Sequence, residues 1–289
     1  MRDLTIIGER INPGFKSSKA LFDDSDIAGI QALAIKQVDA GASYLNVNVG
    51  ARALNDDAFM REVIVAIQEA VAVPLSFDFP SFEVQEICLN AYDEDKAGRK
   101  KPIINSIAES RWNMAEALRI RPCRVVVMAS ERVENGKAAA NKEPGQVLEV
   151  SKRLADRLTE EYGLSLDDVI LDVSIATLAT DREGLIEMAL DGIKLIGQDP
   201  DLRGIHMMGG ISNIGMMLPS LATDGQPLKT RLERAFMTLA RPYGFDMVLA
   251  TPWHCYEPLP GDDFVLNLFK EVIQMKELDA VRHTRKLYS

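Results

Sequence analysis

Eight times along this chain a short apolar run breaks off at an acid, an amide or a hydroxyl, and a stretch with helical spacing follows. The runs fall at 4–7, 44–49, 74–79, 102–105, 124–128, 168–172, 204–208 and 245–250. They are too short for ordinary helices and rich in β-branched residues, Val125-Val126-Val127 most plainly, so they read as buried strands. Helices are predicted at 27–40, 57–71, 81–92, 111–118, 145–162, 181–197, 227–243 and 262–276. Ser25-Asp26 and Ser81 supply N-cap chemistry, and Gly41 a stop. Residues 8–14 read as a polar, turn-forming loop, and segment 131–144, with Asn135-Gly136 inside it, as a long polar loop. Strands alternating with helices imply parallel crossovers. Eight such units in 289 residues, with no break in composition, predict an α/β chain of one domain over residues 1–289, a (β/α)8 TIM barrel. The rival is a doubly wound open sheet, but no GxGxxG opens the first unit.

In a barrel the chemistry sits where the strands end. Those ends carry Asn12, Asn46, Asn48, Asp78, Asn105, Ser130, Asp172 and Asn213. Carboxylates only accept hydrogen bonds, whereas carboxamides both accept and donate. Together they suit a flat heterocycle with donors and acceptors along its edges, and they suit a phosphate poorly. The plainer reading is that such residues cap the next helix or tie a turn. Histidine is scarce: His206 alternates with apolar neighbours inside a strand, and His283 lies near the C-terminus. His254-Cys255 is the one place for a zinc ion or a thiolate, and no second His or Cys ligand stands nearby, so no metal is expected. The three cysteines, far apart and odd in number, give no disulfide framework and point to a reducing, cytoplasmic compartment. A net charge of −10 lacks the basic footprint of a general nucleic-acid binder. No apolar run reaches the roughly 18 residues of a membrane span.

Several of these segments resemble one known family. Ile6-Ile7-Gly8-Glu9-Arg10-Ile11-Asn12, Asp39-Ala40-Gly41-Ala42, Asn46-Val47-Asn48-Val49-Gly50, Asp78, Ile103-Ile104-Asn105-Ser106 and Ser212-Asn213 are similar to the pterin-binding methyltransferases, in the same order and over nearly the whole chain. That family includes enzymes moving methyl groups between tetrahydrofolate and corrinoid proteins, among them those of demethylase systems. The resemblance implies the same barrel, tetrahydrofolate or 5-methyltetrahydrofolate as substrate, a corrinoid (cobalamin) partner protein and a homodimer. It further implies that Asp78 accepts from the pterin pyrimidine, Asn105 binds the ring edge, and Asp172 accepts from the 2-amino and N3 groups. Asn213 would approach N5, the catalytic position, with Asn12 and Asn48 lining the cavity. Some relatives carry Asp where Asn46 stands, so Asn46 receives no role. No Asp-x-His-x-x-Gly stretch occurs, which puts the corrinoid on a separate protein. Met207, Met208, Met216 and Met217 flank the Asn213 loop and fit either an adaptable docking surface or core packing.

Other functions are open to such a barrel, among them a zinc-dependent methyltransferase acting on the primary methyl donor, which the scarcity of metal ligands disfavours. A dihydropteroate synthase-like enzyme needs cations for its pyrophosphate leaving group, yet no Lys follows the seventh strand before Lys229, and His283-Thr284-Arg285 lacks the serine of the usual late Ser-x-Arg. A non-catalytic pterin-binding subunit would have no need of an amide at Asn213.

Overall fold

The computed structural model describes residues 2–289. Eight parallel strands form its centre: β1 (Thr5–Ile11), β2 (Tyr44–Val47), β3 (Leu75–Asp78), β4 (Ile103–Ile107), β5 (Arg124–Met128), β8 (Val169–Asp172), β9 (His206–Met208) and β10 (Met247–Ala250). They run in the order β10-β1-β2-β3-β4-β5-β8-β9. Bridges from Met207 to Phe245 and from Gly210 to Leu249 then bring β9 against β10 and close the barrel. The helices are α1 (Lys19–Asp23), α2 (Ile27–Asp39), α3 (Asp57–Ala70), α4 (Phe82–Ala91), α5 (Pro144–Tyr162), α6 (Leu185–Gln198), α7 (Leu228–Ala240), α8 (Phe264–Ile273) and α9 (Glu277–Thr284).

Four elements differ from the sequence expectation. Residues 8–11, expected in a loop, extend β1. The segment expected to be a loop at 131–144 contains an antiparallel hairpin, β6 (Glu131–Glu134) and β7 (Lys137–Ala140). Its Asn135-Gly136 turn has positive φ at both residues, the conformation that favours this dipeptide between two strands. The fourth helix is a 3₁₀ segment, Glu109–Arg119, with non-helical φ/ψ at Arg111. The final helix ends at Ile273, and α9 follows as a separate element.

Strand side chains alternate between the barrel interior and the helices. The larger apolar cluster lies outside the strands, where residues such as Ile11, Leu45, Phe77, Ile104, Val127 and Leu171 pack with the buried faces of the helices. A second cluster, Ile7, Tyr44, Ile103, Val126, Ile170, Met208 and Met247, with Leu249 against it, plugs the interior. One alternation further along the strands the inward residues turn polar: Glu9, Asn46, Asn105, Asp172 and Thr251. Asp78 takes the same level on β3 through its pairing with Asn105. The interior is thus a hydrophobic floor beneath a polar ring.

Two strands need an extra residue to make this ring. Gly8 pairs with Leu45 and Ile11 with Val47, so β1 carries a bulge across Glu9 and Arg10. In β4, Asn105 pairs with Val126 and Ile107 with Val127. Each bulge resets the inside–outside parity. Ile11 and Ile107 therefore return to the outer cluster although they sit an even number of residues from inward-facing Ile7 and Ile103.

The return to the N-terminal face is tight at one point. A Cβ placed on Gly197 of α6 would stand 1.9 Å from the carbonyl oxygen of Tyr243. Gly197→Ala is expected to destabilise the fold by about 1–3 kcal/mol, as overpacking does, read as a lower urea midpoint with unchanged m-value.

Candidate active site

The polar ring is built from ordinary strand ends whose side chains hold one another. Asn46 Nδ2 donates to Asp78 Oδ2 at 3.1 Å. Asn48 Nδ2 reaches the same oxygen at 3.4 Å and the Asp78 carbonyl at 3.3 Å. Two carboxamides from β2 and its following loop therefore orient one carboxylate on β3 and leave Oδ1 without a protein donor among the described residues. Asn105, 7% exposed, stands beside it in register on β4. On the far side of the ring, Asp172 ends β8, and its Oδ1 accepts the Ser174 N–H at 2.8 Å. Ser174 in turn shares a 2.8 Å hydrogen bond with Ser130 Oγ after β5.

The electrostatics of the carboxyl groups differ. Burial pushes the Asp172 carboxyl up to about 6; the Asp78 charge adds to this and the Ser174 N–H opposes it. Glu9 on β1 is also raised above the ordinary carboxylate range by burial, offset in part by hydroxyl donors from Thr251 and Ser212. Those bonds measure 2.7 Å from Thr251 Oγ1 and 2.8 Å from Ser212 Oγ.

The turn-tying and capping roles of strand-end polar residues divide cleanly here. Asn12, Asn48 and Asp172 each spend one oxygen on a turn, accepting from the backbone N–H of Gly14, Gly50 and Ser174. The helices after the strands take their caps elsewhere. Asp26, Asp56, Ser81, Asp181 and Asp263 accept from N–H groups at the starts of α2, α3, α4, α6 and α8. Asp78 and Asn105 cap nothing.

Asn213 lies in a 3₁₀ turn, Ile211–Gly215, after β9. Its side chain is exposed and has no hydrogen-bond partner among the described residues. Met207 and Met208 are core, whereas Met216 and Met217 are 51% and 77% exposed beside it. Glu9 and Ser212 stand in segments that carry the family resemblance but received no role from the sequence, and Thr251 was not singled out. Glu9 is two residues beyond Ile7, so extending the strand alternation would have put it inside; treating 8–14 as a loop hid that.

The histidines take no part in the ring. His206 pairs with Asp246 and Asp167 at the N-terminal face, His254 with Glu233, and His283 with Glu271. Cys255 is exposed, and Cys88 and Cys123 are buried. Among the described residues no group of three or more His, Cys, Asp or Glu side chains is placed to hold a metal. A cavity of about 700 Å³ opens at the N-terminal face beside Arg2, Arg241 and Asp246, away from the ring.

The model of the family described as pterin binding enzyme matches residues 10–249, a span that includes the ring on all sides except Glu9 and Thr251. The chain belongs to that family. A curated relative of this pterin-binding barrel, the methylcorrinoid:tetrahydrofolate methyltransferase of Eubacterium limosum, is 24% identical over 257 residues, covering 86% of this chain and 85% of the relative. Among solved structures, a Clostridium difficile dihydropteroate synthase determined in the presence of pteroic acid superposes with a TM-score of 0.60 at 17% identity, covering 98% of this chain and 96% of that one. A Coxiella burnetii dihydropteroate synthase in complex with pteroic acid gives 0.58 at 16% identity, with 95% of each chain covered. At such identities the solved structures speak for the fold alone.

The raised Asp172 carboxyl has a measurable consequence. Folding tightens its proton affinity, so its ionisation costs stability as pH rises from about 4 through 6. Asp172→Asn keeps the acceptor for Ser174 and removes that cost. Its unfolding free energy is expected to exceed wild type by about 1–3 kcal/mol at pH 7, the gain vanishing near pH 4. Urea titrations at the two pH values measure it.

Proposed function

We propose that this enzyme moves a methyl group between N5 of tetrahydrofolate and the cobalt of a corrinoid carried by a separate protein. The observation that carries the proposal is the unequal satisfaction of the ring. Among the described residues the donors to Asp78 and Asp172 meet Oδ2 of the first and Oδ1 of the second, leaving the other oxygen of each open, and Asn46 Oδ1 is buried without a partner. The exposed Asn213 carboxamide, on the turn after β9, likewise has no hydrogen-bond partner among the described residues. Acceptors deep in the mouth and a free carboxamide at its rim match a pterin ring edge-on, with its 2-amino and N3 groups toward the carboxylates and N5 toward the turn. The relative named above as a methylcorrinoid:tetrahydrofolate methyltransferase supports the choice of reaction.

The division of labour follows from the chemistry of N5. An amine nitrogen expelled as an anion is a very poor leaving group. Asn213 Nδ2 donates toward N5, and its hydrogen bond strengthens as the C–N bond breaks, which is the differential stabilisation that raises a rate. Asp78, steered by Asn46 and Asn48, and Asp172 anchor the pyrimidine. Asn105 holds the ring edge, and Asn12 and Asn48 line the wall. The corrinoid, when docked, supplies the cobalt that takes or gives the methyl group. Met216, Met217 and Trp253, all exposed on loops at the strand C-termini, form the apolar rim such a partner would meet.

A dihydropteroate synthase reaction fits less well. Its pyrophosphate leaving group would meet Asp78, Asp172 and Glu9, and Lys229 lies on α7 with its Cβ against Gly215. The deciding experiment uses purified protein with tetrahydrofolate and methylcob(III)alamin, then 5-methyltetrahydrofolate and cob(I)alamin, followed by the cobalt spectrum. Methyl transfer in either direction is expected. No transfer, with dihydropteroate formed from p-aminobenzoate and the pterin pyrophosphate, would reverse the assignment. Asn213→Ala is expected to keep tetrahydrofolate affinity within a few-fold and lose roughly 10²–10³ in turnover. Equal loss of both would remove Asn213 from the reacting nitrogen. Tetrahydrofolate affinity should fall below pH 6, up to about tenfold per unit, as Asp172 takes up its proton, and should be flat over that range in Asp172→Asn.

A further inference from the structure

Glu9 stands in the most specific motif of the sequence and has no task in the reaction above. It is 5% exposed on the inward side of the β1 bulge. Its two oxygens receive two hydroxyls from elements more than 200 residues away, Thr251 Oγ1 at 2.7 Å and Ser212 Oγ at 2.8 Å. Thr251, itself buried, follows β10, and its carbonyl accepts the Tyr256 O–H at 2.8 Å. Ser212 immediately precedes Asn213. Within the Ile211–Gly215 turn, its bond to Glu9 is the one side-chain hydrogen bond among the described residues. The Asn213 backbone is otherwise held by local contacts, its N–H to Gly210 O at 3.2 Å and its carbonyl to Met216 N–H at 3.0 Å.

A carboxylate is the group this geometry calls for. Both of its oxygens accept, whereas an amide would offer a donor to one of the two hydroxyls. Burying a charge is costly, so its place inside the barrel needs a compensating arrangement. The converging hydroxyls supply it and join three strand ends in doing so.

We propose that Glu9 is a positioning residue: it clamps the Ser212 turn and Thr251 to β1 and thereby fixes where the Asn213 carboxamide stands over the mouth. The kinetic consequence rests on the methyl-transfer reading, while the clamp itself rests on geometry. Displacing a reacting group by about 1 Å can cost ~10²-fold in rate. Ser212→Ala is therefore expected to lower kcat for methyl transfer roughly 10–100-fold with tetrahydrofolate Kd within about twofold, and Ser212→Thr to restore it. In an Asn213→Ala background, Ser212→Ala should add nothing, because the group it positions is gone. Multiplicative losses, or an unaffected kcat in Ser212→Ala, would overturn the proposal.

A second measurement needs no turnover. Amide hydrogen exchange over residues 211–215 should quicken about tenfold or more in Ser212→Ala and in Glu9→Gln, with β1 and β10 of Ser212→Ala as protected as wild type. Unchanged exchange in the turn would refute the clamp. A wild-type protein that exchanges no methyl would sink the reaction and leave the clamp to be judged by exchange alone. Should Glu9→Gln fail to fold, Ser212→Ala carries the test from the less buried side of the same bond.

Discussion

Three carboxyl groups drawn into one closed ring impose the central constraint on this protein. Each loses water by facing inward, and hydrogen-bond donors offset that loss to different degrees. Asp78 is met by two carboxamides and Glu9 by two hydroxyls. Asp172 receives a single backbone N–H and is pushed up to about 6. The least compensated member of the ring thus has the most to gain from a ligand that donates hydrogen bonds.

The barrel makes such a ring affordable in structural terms because its floor is dry. Ile7, Tyr44, Ile103, Val126, Ile170, Met208 and Met247 fill the interior below the acids. They hold the strands at fixed spacing, and the polar side chains one alternation higher inherit that spacing. Bulges in β1 and β4 then turn the chain back outward directly after Glu9 and Asn105. Bulges concentrate next to functional sites for this reason: one extra residue re-aims a side chain without disturbing the sheet beneath it.

The candidate site therefore divides between a rigid wall and a lighter rim. Asp78, Asn105 and Asp172 sit on strand ends within the hydrogen-bonded sheet. Asn213 sits on a 3₁₀ turn, exposed, between core methionines below and exposed methionines beside it. The proposed methyl transfer would use both parts, the wall holding the pterin ring still and the rim admitting a large partner. The link from Glu9 to Ser212 joins the wall to the rim.

Much of the architecture was legible along the chain because local rules govern it. Apolar runs of strand length, helical spacing between them and caps such as Asp26 and Ser81 required no knowledge of partners distant in sequence. The same rules placed Asp78, Asn105 and Asp172 at strand ends. Three things were decided only by the closed fold. Residues 8–11 became strand because β2 and β10 stood on either side to pair with β1. Asn135-Gly136 became a hairpin because the strands it joins had each other to bond. Glu9, Ser212 and Thr251 became a single unit because barrel closure sets β10 beside β1 and brings the turn after β9 within reach of Glu9. Period and composition are properties of neighbours in sequence, whereas the desolvation of a carboxyl group and the hydroxyls that offset it depend on which distant segments the barrel brings together.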